Sequence, residues 1–446
     1  MPEPVSLRRM LGPGIILAGL SIGSGEFVLW PRLTANFGFA VFWAAWIGVT
    51  IQFFLNLEIE RYTLATGESA VLGFLRLSKI FGPVFLACGV LPNIWPGWAT
   101  GAGTILSWQI GGNPTTYAIA GLFACGMLLS LGPVVYRTVE TIQVVLVSLI
   151  FVALLILGVM LVRLESIGEL FAGALAVGHL PDGIELPLLL GALAFAGAGG
   201  VTNLAQSNYI RDKGYGMGHW IGRITSPWTG SREASTVVGH VPEATEENVA
   251  RWRVWWFRAN VEHGISFYLL CLLSISLLSL ITHELLGSSG GVSEGFGFIR
   301  DQGDVLELRY GPHARNLFFG AGIAVLFSTE LALLDAVTRV VADLVHAMGR
   351  NRGWSLSRVY FSILWGFIGF GVVVLASGFD QPLQLLIISA ALNAIVMFLY
   401  SVLLLLLNMK SFHGPLRPSP VRVAALVCAV LFFGYFSGLT IVERLF

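Results

Sequence analysis

Glu26 is an acid inside an apolar run, in the stretch Ser21-Ile22-Gly23-Ser24-Gly25-Glu26. An ionisable group at membrane depth is costly, and it marks a substrate, ion or proton pathway by default. Its carboxylate suits a cation, a proton or the amine of a zwitterion. The flanking Gly23, Ser24 and Gly25 favour a loosened backbone, because glycine weakens a helix by about 1 kcal/mol relative to alanine. A second polar set follows the run Gly197-Ala198-Gly199-Gly200-Val201: Thr202, Asn203, Gln206, Ser207 and Asn208. Hydroxyl and carbonyl oxygens suit hard cations, and the amides equally suit an organic carboxylate or amide. Further along lie Ser328, Thr329 and Glu330, with hydroxyls for a small cation and an acid lacking a local partner. Asp335 and Arg339 can pair at i,i+4 on one helix face, a structural or gating arrangement. Asn393 is another lone polar group.

The elements that must position these residues are membrane spans. The chain has 446 residues, 55% hydrophobic and only 12% charged, with zero formal net charge and a mean hydropathy of +0.78. These values indicate an all-α polytopic membrane protein and argue against a nucleic-acid partner. The pattern predicts eleven spans at 12–32, 36–57, 82–108, 116–133, 139–162, 186–208, 256–281, 315–342, 357–377, 383–408 and 421–441. With the N-terminus inside and the C-terminus outside, all but six of the 26 Lys and Arg residues fall on the cytoplasmic side (the exceptions are Arg32, Arg163, Arg300, Arg309, Arg315 and Arg444). That bias sets the orientation. An integral protein of the cytoplasmic membrane, with the bilayer as its partner and no obligatory oligomer, is expected. No removable signal peptide is read at the N-terminus.

Residues 12–162 and 186–408 then form two five-span units of opposite orientation, each opening with a glycine-interrupted span, and 421–441 is an extra helix. Paired interrupted spans point to a secondary transporter with its site near the midplane between them. The whole chain is one transporter domain on this reading. Residues 211–255 are a cytoplasmic loop ending in a Trp/Arg-rich segment, Glu246–Arg258, suited to the inner interface. Residues 282–313 form an external loop. Near the inner end of span 2, Glu58, Glu60 and Arg61 suit a gate or anchor. The four cysteines lie in apolar runs without CxxC spacing, and no HExxH, P-loop or Ser-His-Asp arrangement occurs, so neither a cofactor nor enzymatic activity is expected.

The opening Gly12-Pro13-Gly14, the spacing to Gly25, the helix count and the N-inside orientation resemble the Nramp family of proton-coupled divalent-metal transporters. The resemblance implies a LeuT-type 5+5 inverted repeat with helices 1 and 6 broken at the midplane. The family's first break reads Asp-Pro-Gly-Asn, where this chain has Gly23, Ser24, Gly25 and Glu26. Its second reads Met-Pro-His before Asn; aligned on Asn203, those positions are Gly200, Val201 and Thr202. The resemblance therefore implies a rebuilt site in which Glu26, Thr202 and Asn203, with backbone carbonyls, hold a hard divalent ion. A proton is the implied coupling ion, carried by Glu26 or Glu330, with Ser328 and Thr329 as an alternative cation site. A small organic solute, such as an amino acid or amine lying against two unwound helices, is the alternative cargo.

Overall fold

The computed structural model describes residues 1–226, 239–287, 293–349 and 353–445; the parts of the two long loops at 227–238 and 288–292 lie outside the described residues. Nine helices among the described residues are long and apolar enough to cross a membrane. In chain order they serve as span 1 (Pro13–Phe37), span 2 (Phe42–Thr66), span 4 (Pro114–Leu131), span 5 (Val135–Leu161), span 7 (Glu246–Leu286), span 8 (Pro312–Met348), span 9 (Leu356–Ala376), span 10 (Pro382–Ser411) and span 11 (Pro420–Leu439). Spans 3 and 6 complete the expected eleven, and both are interrupted.

Span 3 is two helices, Phe81–Val90 and Gly97–Ile110, where the sequence pattern predicts one. Pro92 and Pro96 explain the division, because neither has an N–H to donate to a helical carbonyl. Span 6 runs Leu186–Ala194, leaves helical geometry from Phe195 to Gly199, and resumes as Gly200–Leu204 and Gln206–Lys213. Gly199 (φ 77°) and Gly200 (φ 53°) turn the chain back into the helix through the left-handed region, which side chains with a Cβ avoid.

The interruption of span 1 takes a different form. Helix Pro13–Ser21 widens into a π-helical segment, Ile22–Leu29, before Trp30–Phe37 resumes α geometry. The N–H of Trp30 bonds back to the carbonyl of Gly25. Pro31 lies one residue further on and cannot donate to a carbonyl in the preceding turn. π-Helical turns occur mostly inside α-helices and often at functional sites. Span 7 carries a second such segment, Gly264–Leu269, and the two spans touch: a Cβ on Gly14 would overlap the Ser266 hydroxyl.

The Trp/Arg-rich segment is not a separate element. It is the first part of one continuous helix with span 7, and Trp252 and Trp255 are buried. Their indole N–H groups donate to the carbonyls of Pro415 and Pro2. Arg258 donates to those of Pro4 and Val5. The segment thus clamps the chain's N-terminus to the body, because its polar atoms find backbone partners there. Glu58 and Arg61 lie beside it. They pair at 2.8 Å, Arg422 joins Glu58 at 3.2 Å, and the Arg61 guanidinium lies 4.0 Å from the Trp256 ring centre.

Candidate transport site and gate

Spans 1, 6 and 8 meet at the glycines of span 1. A Cβ on Gly25 would overlap the Phe195 carbonyl at the start of the span 6 break, and one on Gly23 would overlap Thr329 of span 8. The small residues therefore let three backbones approach at the place where the span 6 helix is open. The Ser24 side chain lies outside the described residues.

The break is held by side-chain amides from distant spans. Gln52 of span 2 donates its amide to the carbonyls of Ala194 (2.8 Å) and Leu193 (3.4 Å). Its oxygen accepts from the Gly199 N–H (3.3 Å) and the Asn203 amide (3.2 Å). One side chain thereby stands in for the helical bonds that the break removes, which is how irregular backbone survives at membrane depth. Asn393 of span 10 accepts from the Val201 N–H (3.4 Å) and donates to Asn93 (3.0 Å), in the interruption of span 3. Asn203 also donates to the Tyr400 hydroxyl at 2.9 Å. Trp98 stands edge-on to Phe195, with ring centres 5.8 Å apart, and its buried indole N–H has no hydrogen-bond partner among the described residues.

The residues expected to bind metal engage separate partners in this structure. Glu26 is fully buried and turned toward span 7: it accepts from the Ser21 hydroxyl at 2.5 Å and from the Ser274 hydroxyl. Thr202 donates within its own turn, to Ala198 at 2.6 Å and Gly199 at 2.5 Å. Ser207 likewise donates to Leu204 at 2.5 Å. Of the expected site residues, Val201 and Asn203 take part in the hydrogen-bond network at the span 6 break, Gly200 packs on Asn393 and Gly25 on Phe195, while Glu26 lies in the same π-helical segment of span 1 as Gly25.

Ser328 and Thr329 also diverge. Ser328 exchanges bonds with Gln143 of span 5, donating its hydroxyl at 2.8 Å and accepting at its carbonyl at 2.7 Å. Thr329 donates to the Gly19 carbonyl at 2.9 Å, tying span 8 to span 1. Glu330 faces the other way, accepting from the Ala99 N–H of span 3 at 3.1 Å. Asp335 and Arg339 do pair, at 2.8 Å, within a larger buried cluster. Arg339 also bonds Asp212 of span 6, and the Tyr360 hydroxyl of span 9 donates to Asp335 at 2.6 Å. Asp343 accepts from Arg211 (2.8 Å), Asn208 (2.8 Å) and Ser69 (2.6 Å). Three aspartates and two arginines thus join the far end of span 6 to span 8.

Sequence reasoning passes over Gln52, Asn93, Arg211, Asp212 and Asp343. The available signal is the spacing of Gln52, Asn56 and Glu60 at i, i+4 and i+8, which puts three polar groups on one face of an apolar span.

No protein-family model and no curated protein matches the chain. Solved structures do. The manganese transporter of Eremococcus coleocola, in complex with an aromatic bis-isothiourea substituted compound, superposes with a TM-score of 0.74 at 15% identity, over 100% of this chain and 89% of that one. Mhp1, a nucleobase-cation-symport-1 family transporter in a closed conformation with bromovinylhydantoin bound, gives 0.58 at 14% identity, over 98% and 94%. MhsT in complex with L-phenylalanine gives 0.50 at 14% identity, over 96% and 97%. The chain has the LeuT-type fold that these transporters share.

Proposed function

We propose that the chain is a secondary transporter working by alternating access, with a divalent metal ion as cargo. The observation that carries this reading is the meeting of the span 1 glycine seam, one residue from Glu26, with the open backbone of span 6. That junction supplies carbonyl and amide oxygens, and Glu26, one residue from the seam, adds its carboxylate on leaving Ser21 and Ser274; together they make a donor set for a hard cation such as Mn²⁺ or Mg²⁺. The full-length likeness in fold to a manganese transporter supports the same cargo. Loading turns Glu26 from the Ser21 and Ser274 hydroxyls toward Thr202 and Asn203, with the π-helical segment as the adjustable element. The Asp212–Arg339–Asp335 cluster closes one side, and breaking its span 6 to span 8 contacts opens it.

A proton is the coupling ion on this reading, carried by Glu26, with Glu330 as a second acid and Ser328 and Thr329 as the alternative cation site. The chain lies in the cytoplasmic membrane with its N-terminus inside. Trp98 edge-on to Phe195, with an unpartnered indole N–H at the break, favours a second reading in which a small organic solute is carried.

Isothermal titration calorimetry on the purified chain and on Glu26→Gln separates the two. Saturable heat from Mn²⁺ or Mg²⁺ that the variant loses is expected. Indifference to both metals, with saturable heat from one member of an amino-acid pool, would overturn the metal reading.

A further inference from the structure

A cavity of about 280 Å³ lies between spans 3, 4 and 8, and Glu330 lines it. Its walls are otherwise apolar or small: Ala99, Gly103, Gly121 and Ala124 leave the space, and Tyr117 and Phe327 add aromatic faces. The lining includes no arginine, lysine or histidine. Ala120 and Ala124 are exposed at its edge, on the surface that the bilayer covers.

Glu330 is 3% exposed, and its one hydrogen bond among the described residues comes from the Ala99 N–H. Ala99 is in the first turn of the helix Gly97–Ile110, where N–H groups have no intrahelical partner and the helix dipole favours an anion. The carboxylate is thus steadied on one side by a helix end and faces an apolar cavity on the other, with no counter-ion among the described residues.

We propose that this cavity is a lateral binding site for a protonated monoamine with an apolar body, separate from the central transport site. The chemistry excludes other classes. A hard cation such as Mg²⁺ or Ca²⁺ takes about six or more oxygen ligands and a zinc-like ion takes imidazole or thiolate, whereas the lining offers a carboxylate and one tyrosine hydroxyl and no histidine or cysteine. A zwitterion or an anion finds no cationic partner for its negative charge. A protonated amine pairs with Glu330, lays its apolar body against the small-residue walls, and gains from an aromatic face near its charge. The site does not depend on what the central site carries.

Equilibrium dialysis of radiolabelled phenethylamine against the purified full chain tests this, with 2-phenylethanol as the neutral competitor of similar shape. Saturable binding is expected, at least tenfold weaker in Glu330→Gln and in Gly121→Leu, and undisturbed by equimolar 2-phenylethanol. Gly121 lines the cavity, and a Cβ placed on it meets nothing within 4 Å, so a side chain there starts in open space. No saturable binding, affinity within threefold of wild type in either variant, or displacement by the alcohol as readily as by the amine would each overturn the proposal. The last result would mark a groove for lipid chains instead.

Discussion

Replacing Arg339 by methionine tests whether the buried charge cluster holds spans 6 and 8 together. The guanidinium is fully buried, bonds both oxygens of Asp335 at 2.9 and 2.8 Å, and reaches Asp212 on the other span. Removing it leaves Asp335 with the Tyr360 hydroxyl, and Asp212 with Arg211 at 3.3 Å. Deleting one partner of a buried ion pair costs about 3–5 kcal/mol, because the remaining charge is left uncompensated. At roughly 1.4 kcal/mol per tenfold, local opening of span 6 becomes about a hundredfold to a few thousandfold more populated. Hydrogen exchange of the amides in Gln206–Lys213 reads that opening directly. Their protection is expected to fall by about a hundredfold or more, while span 5 amides keep theirs. Arg339→Lys falls between, because an ammonium cannot present the guanidinium's fork to two acids. Protection of 206–213 within threefold of wild type in Arg339→Met would mean that the cluster does not hold span 6 to span 8.

Other substitutions probe the junction itself. Gly25→Ala places a methyl group on the Phe195 carbonyl and should cost about 1–3 kcal/mol by overpacking, whereas Gly121→Ala, in open space, should be neutral or stabilising; equal thermal midpoints would contradict the close approach. Gln52→Leu strands the Ala194 carbonyl and the Gly199 N–H, at about 1–3 kcal/mol for each unsatisfied group. Denaturant titration of the solubilised protein should show that loss, and a change below about 0.5 kcal/mol would mean that Gln52 does not sustain the break.

Nine of the eleven expected spans, and the interruptions of spans 1 and 6, were legible in the sequence because length, hydropathy and glycine content are local properties. The break at Phe195–Gly199 follows from its glycines, and the Asp335–Arg339 pair from helical spacing. What the sequence did not reveal depends on rotation and distance. Each π-helical turn holds more residues than an α turn, so the direction of Glu26 cannot be read from a 3.6-residue period, and the side chain meets Ser274 on span 7. Gln52 and Asn203 are 151 positions apart, and Arg211 and Asp343 are 132 apart. Only folding brings such pairs together, and before that each looks like an isolated polar group between helices. The division of span 3 was signalled by Pro92 and Pro96, but the surrounding apolar run hides it from a hydropathy reading.

On the proposed function, the Glu26 segment and the span 6 break together carry a divalent ion through the membrane. Mn²⁺ uptake into proteoliposomes under an imposed proton gradient tests it most directly. Saturable uptake that depends on the gradient, and that Glu26→Gln and Asn203→Ala both abolish, is the predicted result. Uptake that both variants retain would place the ion path elsewhere. No Mn²⁺ or Mg²⁺ uptake at all, alongside saturable uptake of an amino acid or amine, would contradict the metal reading.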